Sequence, residues 1–319
     1  MKTRVWACTR GVVVMLLLMA GLLAVTAYYL TPPYFPKNFG LVDDRYYFGP
    51  NAFYLDTSLK NGEYPLWNPL VYCGMPFSAD PQANACYPFH LIRSFLTPAF
   101  NPYATALGMQ ITSALHLLFG ALGLYVLARS YRLSMASALA GAFAFMLGPF
   151  SIVYSTEFYV FPLVTAWMPW LLWLASRAIR TPRWSHAVSY TAWTALFFGL
   201  STLGGFPQLS LYTGITLALF VALHALFHLS WRHPKKLFHQ VPRTAVKSIC
   251  VLVSVAVFGA LLAAVLLLPA YEFGKYSART ESAGLVMNAW PQDLSWGHLL
   301  KCLVIFPGNT WLPQGFRAA

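Results

Sequence analysis

Apolar residues occur along this chain in long runs that shorter polar segments separate. Each run is about 20 residues long, the length an α-helix needs to cross the apolar core of a bilayer. Seven runs have this character: Gly11–Leu30, Ala104–Ala128, Ala136–Tyr154, Tyr159–Ser176, Ala187–Leu203, Leu209–Ser230 and Ser248–Pro269. The pattern predicts an all-α fold, a polytopic bundle of transmembrane helices.

The first run has two interpretations. Basic residues precede it, and Val25-Thr26-Ala27 resembles a signal-peptidase site, as in a cleaved secretory signal peptide. The run is longer than the apolar region of a usual signal peptide. We therefore favour a retained membrane anchor.

Composition supports a membrane protein. Hydrophobic residues make up 58% of the 319 residues, and charged residues only 9%, whereas a soluble domain carries roughly 25% charged residues. Such a chain has too little charge to cover a soluble globule, and it is too hydrophobic to be intrinsically disordered.

The charges are unevenly distributed between the polar segments. If the N-terminus lies in the cytoplasm, most Lys and Arg residues fall on the cytoplasmic side, and all nine Asp and Glu residues fall outside. This distribution follows the positive-inside rule. It accounts for the net charge of +12 without a nucleic-acid partner.

The segment between the first two predicted spans, residues 31–103, is much longer than any other loop. Its many prolines exclude one long helix, and its Tyr and Trp residues favour the depth of the lipid headgroups. We expect an extracytoplasmic loop with short helices at the membrane interface. Loops of this length are usually functional.

Two adjacent carboxylates, Asp43 and Asp44, followed by Arg45, lie early in this loop. A carboxylate can act as the general base when a hydroxyl must lose its proton as it attacks. The pair could also hold a divalent cation such as Mg²⁺ or Mn²⁺. The alternative is a solvated acidic turn in which Arg45 is the local partner.

Two further motifs in the loop are candidate binding elements. Trp67 and Asn68 lie between prolines. An aromatic face beside an amide suits the binding of a sugar ring. The alternative is that Trp67 anchors the loop at the membrane interface. Asp80 and Gln82 add an acid and an amide close to Tyr87-Pro88.

Within the predicted bundle, ionisable residues are costly and indicate function. His116 lies near the middle of its span and Glu157 in a short outer link. Gln208 follows the helix-breaking run Gly204–Pro207, where irregular backbone is tolerated if it lines a cavity. A His bonded to a neighbouring helix and an ordinary tight turn are the alternatives.

The cysteines and histidines give weaker signals. Cys73 and Cys86 share the long loop and form either a disulfide or two free thiols. His224 and His228 stand four residues apart without a carboxylate nearby, so a metal site there is disfavoured. Nucleotide-binding and serine-hydrolase motifs are absent from the sequence.

The order of these features resembles the YfhO family of bacterial membrane proteins. The similarity lies in the stretch Gly62–Pro69 followed by Gly74-Met75-Pro76-Phe77, the central His116, Trp167-Met168-Pro169, and the turn Gly204–Gln208. Phe206 stands where the family often has a polar residue. Members are longer than 319 residues, so the resemblance implies that this chain corresponds to an N-terminal portion.

The resemblance implies a GT-C type glycosyltransferase in the bacterial inner membrane. Such enzymes transfer a sugar from a polyprenyl-phosphate donor to a cell-envelope acceptor on the outer side, with inversion. Their base is an acid in the first outer loop, by position Asp43 or Asp44, and Asp43 is preferred here. Arg45, Arg93 and His116 would then hold the leaving phosphate.

Two other classes of function compete with this hypothesis. A transporter or flippase for a lipid-linked saccharide predicts ionisable residues along several spans, and here the spans are nearly free of them. A non-catalytic partner that binds the carrier lipid would need a lipid groove and phosphate contacts, but neither Asp43 nor Asp44.

Overall fold

The computed structural model describes residues 43–98, 100–148, 150–151, 158–227 and 234–276, with four positions between 13 and 21. Of these residues, 79% are helical and 2% lie in strands, so the described part of the chain is mainly helical, as the apolar runs predict. The first predicted span, apart from those four positions, and Glu157 lie outside the described residues. The chain divides into a unit Met1–Tyr271 and a unit Glu272–Ala319, and the second is described only at 272–276.

The segment before the first long helix folds into short elements. They are the π-helical turn Asp44–Phe48, helix α1 (Gly49–Lys60), strands β1 (Trp67–Asn68) and β2 (Met75–Pro76), the 3₁₀ turn Pro81–Ala83 and helix α2 (Pro88–Leu96). The two strands pair antiparallel, with Trp67 opposite Pro76. Prolines stand in the first turn of α1 and α2, where a missing N–H costs no helical hydrogen bond.

Longer helices follow. They are α3 (Pro102–Ser130), α4 (Met135–Leu147), α5 (Val160–Thr165), α6 (Met168–Arg180), α7 (Trp184–Leu203), α8 (Pro207–Phe227), α9 (Pro234–Ser254), the π-helical turn Val255–Gly259 and α10 (Ala260–Gly274). Side-chain caps fix two of the starts, because Asn101 accepts from the Tyr103 and Ala104 backbone N–H groups of α3 and Ser134 accepts from the Ser137 backbone N–H of α4.

Three helical segments among the described residues are long and apolar enough to cross a membrane. They are Pro102–Ser130, Pro207–Phe227 and Arg243–Gly274, and Met135–Leu147 is a shorter apolar helix. The three segments overlap the predicted spans at 104–128, 209–230 and 248–269.

The predicted span at 159–176 is divided into two helices. Pro169 has no N–H to donate to the carbonyl of Thr165, and its ring would clash with that carbonyl in a continuous helix. The chain therefore turns at Ala166 and Trp167, and α6 begins at Met168. Neither α5 nor α6 alone reaches the length of a full span.

The interior of the bundle centres on α5 and on Trp167. Val160, Leu163 and Val164 are completely buried, and α5 contacts α3, α7 and α8. The Trp167 ring lies 5.0 Å from the rings of both Phe119 and Phe197, measured between centroids. This central position brings α5 and α6 next to the short elements that precede α3.

The turn between α7 and α8 holds one of those elements in place. Gly205 has φ +89°, and a Cβ there would lie 1.9 Å from Asn84 Oδ1 and 2.5 Å from the Pro81 carbonyl. Asn84 itself is left-handed and buried. The backbone of the 3₁₀ turn and that of the α7–α8 turn can meet only because residue 205 has no side chain.

Gly205→Ala is therefore expected to destabilise the fold. The left-handed backbone alone costs a residue other than Gly about 1–3 kcal/mol, and the contacts of the added Cβ increase that cost. The matched control is Gly141→Ala in α4, where a Cβ meets only Leu124 at 4.0 Å. Thermal unfolding of the purified protein in detergent would measure both. Equal midpoints for the two variants would contradict the close approach.

Candidate functional site

A buried ion pair joins the first three helices. Asp56 on α1 accepts two hydrogen bonds from the Arg93 guanidinium on α2, at 2.9 and 2.8 Å. The same carboxylate accepts from Thr105 Oγ1 on α3 at 2.7 Å and from the Ser94 hydroxyl. Every side chain in this group is nearly inaccessible, so each hydrogen bond satisfies a polar group that water cannot reach.

A hydrogen-bonded chain runs from α3 to Trp167. The His116 Nδ1 lies 2.7 Å from the Thr112 carbonyl, which can only accept, so Nδ1 carries the proton. His116 Nε2 then accepts from the Tyr87 hydroxyl at 2.6 Å, and the Tyr87 oxygen accepts from Trp167 Nε1 at 3.2 Å. His116 is thus bonded to its own helix through Nδ1 and to the Tyr87 hydroxyl through Nε2.

A third group connects α2 to the start of the acidic motif. The His90 ring stacks on Tyr159 at 5.0 Å between centroids, and His90 Nε2 hydrogen-bonds the Tyr159 hydroxyl. The Tyr159 backbone N–H donates to Asp44 Oδ1 at 3.0 Å. Burial holds the pKa of His90 well below its usual range, and the Arg93 charge lowers it further, so this imidazole is neutral at pH 7.

These three groups pack together, and we call them the polar cluster: Asp44, Asp56, Tyr87, His90, Arg93, His116, Tyr159 and Trp167. Of the adjacent acids, Asp44 is 6% exposed and belongs to the cluster, whereas Asp43 is exposed. The side chain of Arg45 lies outside the described residues.

An apolar groove of about 630 Å³ opens beside the cluster, between α2 and α3. Phe89, Ile92, Leu107, Ile111 and Leu115 line it and are all partly exposed. Its polar lining includes Arg93 and His116. Arg93 Nε is buried, and no acceptor for its N–H exists among the described residues.

The remaining predicted site residues lie away from this groove. Trp67 packs against Gly74 and is 54% exposed, while the Asn68 side chain accepts from Leu70 N within its own turn. Gln82 lies in the 3₁₀ turn that Asp80 caps. Gln208 donates to Tyr212 on the exposed face of α8, and Phe206 packs on Phe161.

The two cysteines of the long loop are unpaired, and His224 has a protein partner. Cys73 and Cys86 are both free thiols, so of the two sequence interpretations the structure has the unpaired one. His224 hydrogen-bonds Tyr131, and His228 lies outside the described residues. Within the described ranges, no three His, Cys, Asp or Glu side chains come together as metal ligands.

The sequence hypothesis missed Asp56, Tyr87, His90 and Tyr159 as site residues. One signal was present, because Tyr87, His90 and Arg93 recur every third residue and so share one face of a helix. Asp56 and Tyr159 carry no such local signal, since their partners are 37 and 69 residues away along the chain.

Comparison with protein-family models, curated proteins and solved structures finds no match to this chain. The geometry of the cluster and the groove is therefore the basis for a functional hypothesis.

The buried ion pair is expected to be essential to stability. Asp56→Ala would leave the Arg93 charge uncompensated, at a cost of about 3–5 kcal/mol. Asp43→Ala makes the same change at an exposed position and should shift stability by less than about 0.5 kcal/mol. Thermal unfolding in detergent compares the two, and similar losses would show that the pair is unimportant.

Asp80 predicts a pH dependence. Burial raises the pKa of its carboxyl group, although hydrogen bonds from Tyr47 and the backbone of the 3₁₀ turn oppose the shift. A raised pKa means that the folded state binds the proton more tightly, so this contribution to stability is present at low pH. It is lost as pH rises from the ordinary pKa of 3.8 through the folded-state value.

Asp80→Asn imitates the protonated acid at every pH. Its stability relative to wild type should therefore increase as pH rises from about 4 to 7. Unfolding midpoints of both proteins across this range provide the measurement. A difference that does not change with pH would contradict the raised pKa.

Proposed function

We propose that this chain is a GT-C type inverting glycosyltransferase of the bacterial inner membrane. It transfers a sugar from a polyprenyl-phosphate donor to a cell-envelope glycopolymer or lipid on the extracytoplasmic side. The single observation that carries the proposal is the position of the polar cluster, which contains a buried carboxylate, beside an apolar groove between α2 and α3.

The groove suits the polyprenyl chain of such a donor. Its lining is mainly aliphatic and aromatic, and it opens along the exposed face of α3, one of the described helices that are long and apolar enough to cross a membrane. Lipid can therefore enter from the side. Arg93 Nε, which has no protein acceptor among the described residues, is a donor for the phosphate oxygen.

In the proposed reaction, the acceptor hydroxyl attacks the anomeric carbon of the sugar. The new C–O bond forms as the bond between that carbon and the phosphate oxygen breaks, and its electron pair leaves with polyprenyl phosphate. The hydroxyl proton goes to the base. Arg93 stabilises the charge that develops on the leaving phosphate.

Asp44 is the proposed base, in place of the exposed Asp43. The Tyr159 N–H fixes one carboxylate oxygen of Asp44, and Tyr159 is itself packed on His90. A base that neighbouring groups hold in one orientation loses less entropy on reaching the transition state than a mobile surface carboxylate.

Asp44→Asn is expected to lower transfer by about 10²–10⁴-fold, the usual contribution of a general base. Asn keeps the acceptor oxygen for Tyr159 N–H, so the fold should be retained. The assay follows labelled sugar from polyprenyl-phosphate glucose, galactose or mannose, one at a time, in membranes that contain the full chain, with and without EDTA.

Asp43→Asn should lose less than tenfold, and Glu63→Gln, a change at an exposed acid of the same segment, should lose nothing. Equal activity of Asp44→Asn and wild type would exclude Asp44 as the base. Donor binding without transfer by wild type would favour the non-catalytic carrier-lipid partner, and movement of the donor across vesicles would favour a flippase.

A further inference from the structure

A second groove lies between α7 and the long helix that α9 and α10 form, away from the polar cluster. Its volume is about 540 Å³. Small buried residues that recur every fourth position of α7 form its floor, namely Ala187, Thr191 and Ala195. Its walls are exposed apolar side chains, among them Val188, Leu196, Phe258 and Leu262.

Two glycines keep these helices in contact beneath the groove. A Cβ on Gly199 would lie 2.6 Å from the Leu262 side chain, and one on Gly259 would lie 3.4 Å from the Ala195 carbonyl. The α7 part of the groove, Trp184 to Leu196, extends about 18 Å at 1.5 Å per residue. That is slightly more than half of a hydrocarbon core of about 30 Å, so the groove has the length of one leaflet.

Two cations stand at one end of this groove. Lys247 Nζ lies 5.2 Å and the Arg243 guanidinium 5.9 Å from the centre of the Trp184 ring. Lys247 donates to the Thr181 carbonyl and Arg243 to the Pro182 carbonyl, just after α6 ends. These bonds hold both side chains in place. An ammonium has three N–H donors and a guanidinium five, so each side chain can still donate to a bound anion.

The surrounding stretch of sequence supplies no carboxylate to compensate this charge. The sequence from residue 158 to residue 271 contains neither Asp nor Glu. Among the described residues, no ion pair joins a carboxylate to Lys247 or Arg243. The groove therefore combines an apolar channel with an uncompensated positive end, a combination that suits an amphipathic anion.

We infer that this groove binds a phospholipid with an anionic headgroup. Lys247 and Arg243 donate to the phosphate, and Trp184 lies at headgroup depth, where Trp is favoured. One acyl chain lies along the small residues of α7. Basic pockets between membrane helices are a recurrent way of holding anionic lipids.

The test is native mass spectrometry of the purified full chain with phosphatidylglycerol and phosphatidylethanolamine that carry the same acyl chains. Wild type should prefer phosphatidylglycerol. Each cation near an anionic headgroup contributes about 1 kcal/mol, so Lys247→Gln with Arg243→Gln should weaken phosphatidylglycerol binding about thirtyfold and remove the preference. Equal binding of both lipids by wild type would overturn the inference.

A matched control removes two exposed cations elsewhere. Arg129→Gln with Arg177→Gln, both exposed, loses the same net charge and should keep the preference. If this control lost it as well, the effect would come from overall charge, and the groove would have no special role.

A second pair of variants tests the apolar channel without changing charge. Ala192→Trp fills the groove, since Ala192 lines it, and should weaken binding of both lipids at least tenfold. Ala222→Trp, at an exposed position of α8, should not. Unchanged binding in Ala192→Trp, or displacement of phosphatidylglycerol by equimolar glycerol 3-phosphate, would show that the acyl chain is not bound there.

Discussion

The buried pair between Asp56 and Arg93 is the interaction on which the first part of the fold depends. A charge pair away from water is stable only when good geometry and further hydrogen bonds offset the loss of hydration. Here two bonds join the charges, and Ser94 and Thr105 supply the remaining donors. Because the four residues come from α1, α2 and α3, a single carboxylate fixes three helices.

The orientation of α2 follows from that constraint. With Arg93 turned towards Asp56, the residues three and six positions earlier, His90 and Tyr87, also face inwards and reach Tyr159 and His116. The opposite face carries Ile92, Phe95 and Leu96, which are at least half exposed. Such a face is unfavourable in water and favourable against lipid, in keeping with a helix at the membrane interface.

The sequence predicted the parts of the fold that local patterns encode. Three of the long apolar runs overlap described helices that could cross a membrane, and Gly and Pro indicated the turn at Gly204–Pro207. What it did not predict depends on distant pairings. From the sequence alone, Asp56 has the pattern of a solvated acid on a helix, because its partners Arg93 and Thr105 are far away along the chain. Pro169 likewise divides a run of residues whose hydropathy is continuous.

For Asp43 and Asp44 as well, the sequence did not predict which of the two side chains is buried. Consecutive residues of a helical turn point about 100° apart, so two neighbouring acids can differ in burial. Which one faces inwards depends on the phase of the turn, and the π-helical turn Asp44–Phe48 alters that phase. In the structure, its burial and the bond from Tyr159 N–H identify Asp44 as the inner acid.

The two grooves differ in how their cations are balanced. Arg93 is neutralised by Asp56, so a phosphate beside it meets one directed N–H and little net charge. Lys247 and Arg243 have no carboxylate within their stretch of chain. An enzyme that transfers a sugar must release its phosphate product in every cycle, whereas a lipid that supports the fold benefits from staying bound. The balanced cation thus suits the proposed reaction, and the unbalanced pair suits a resident anionic lipid.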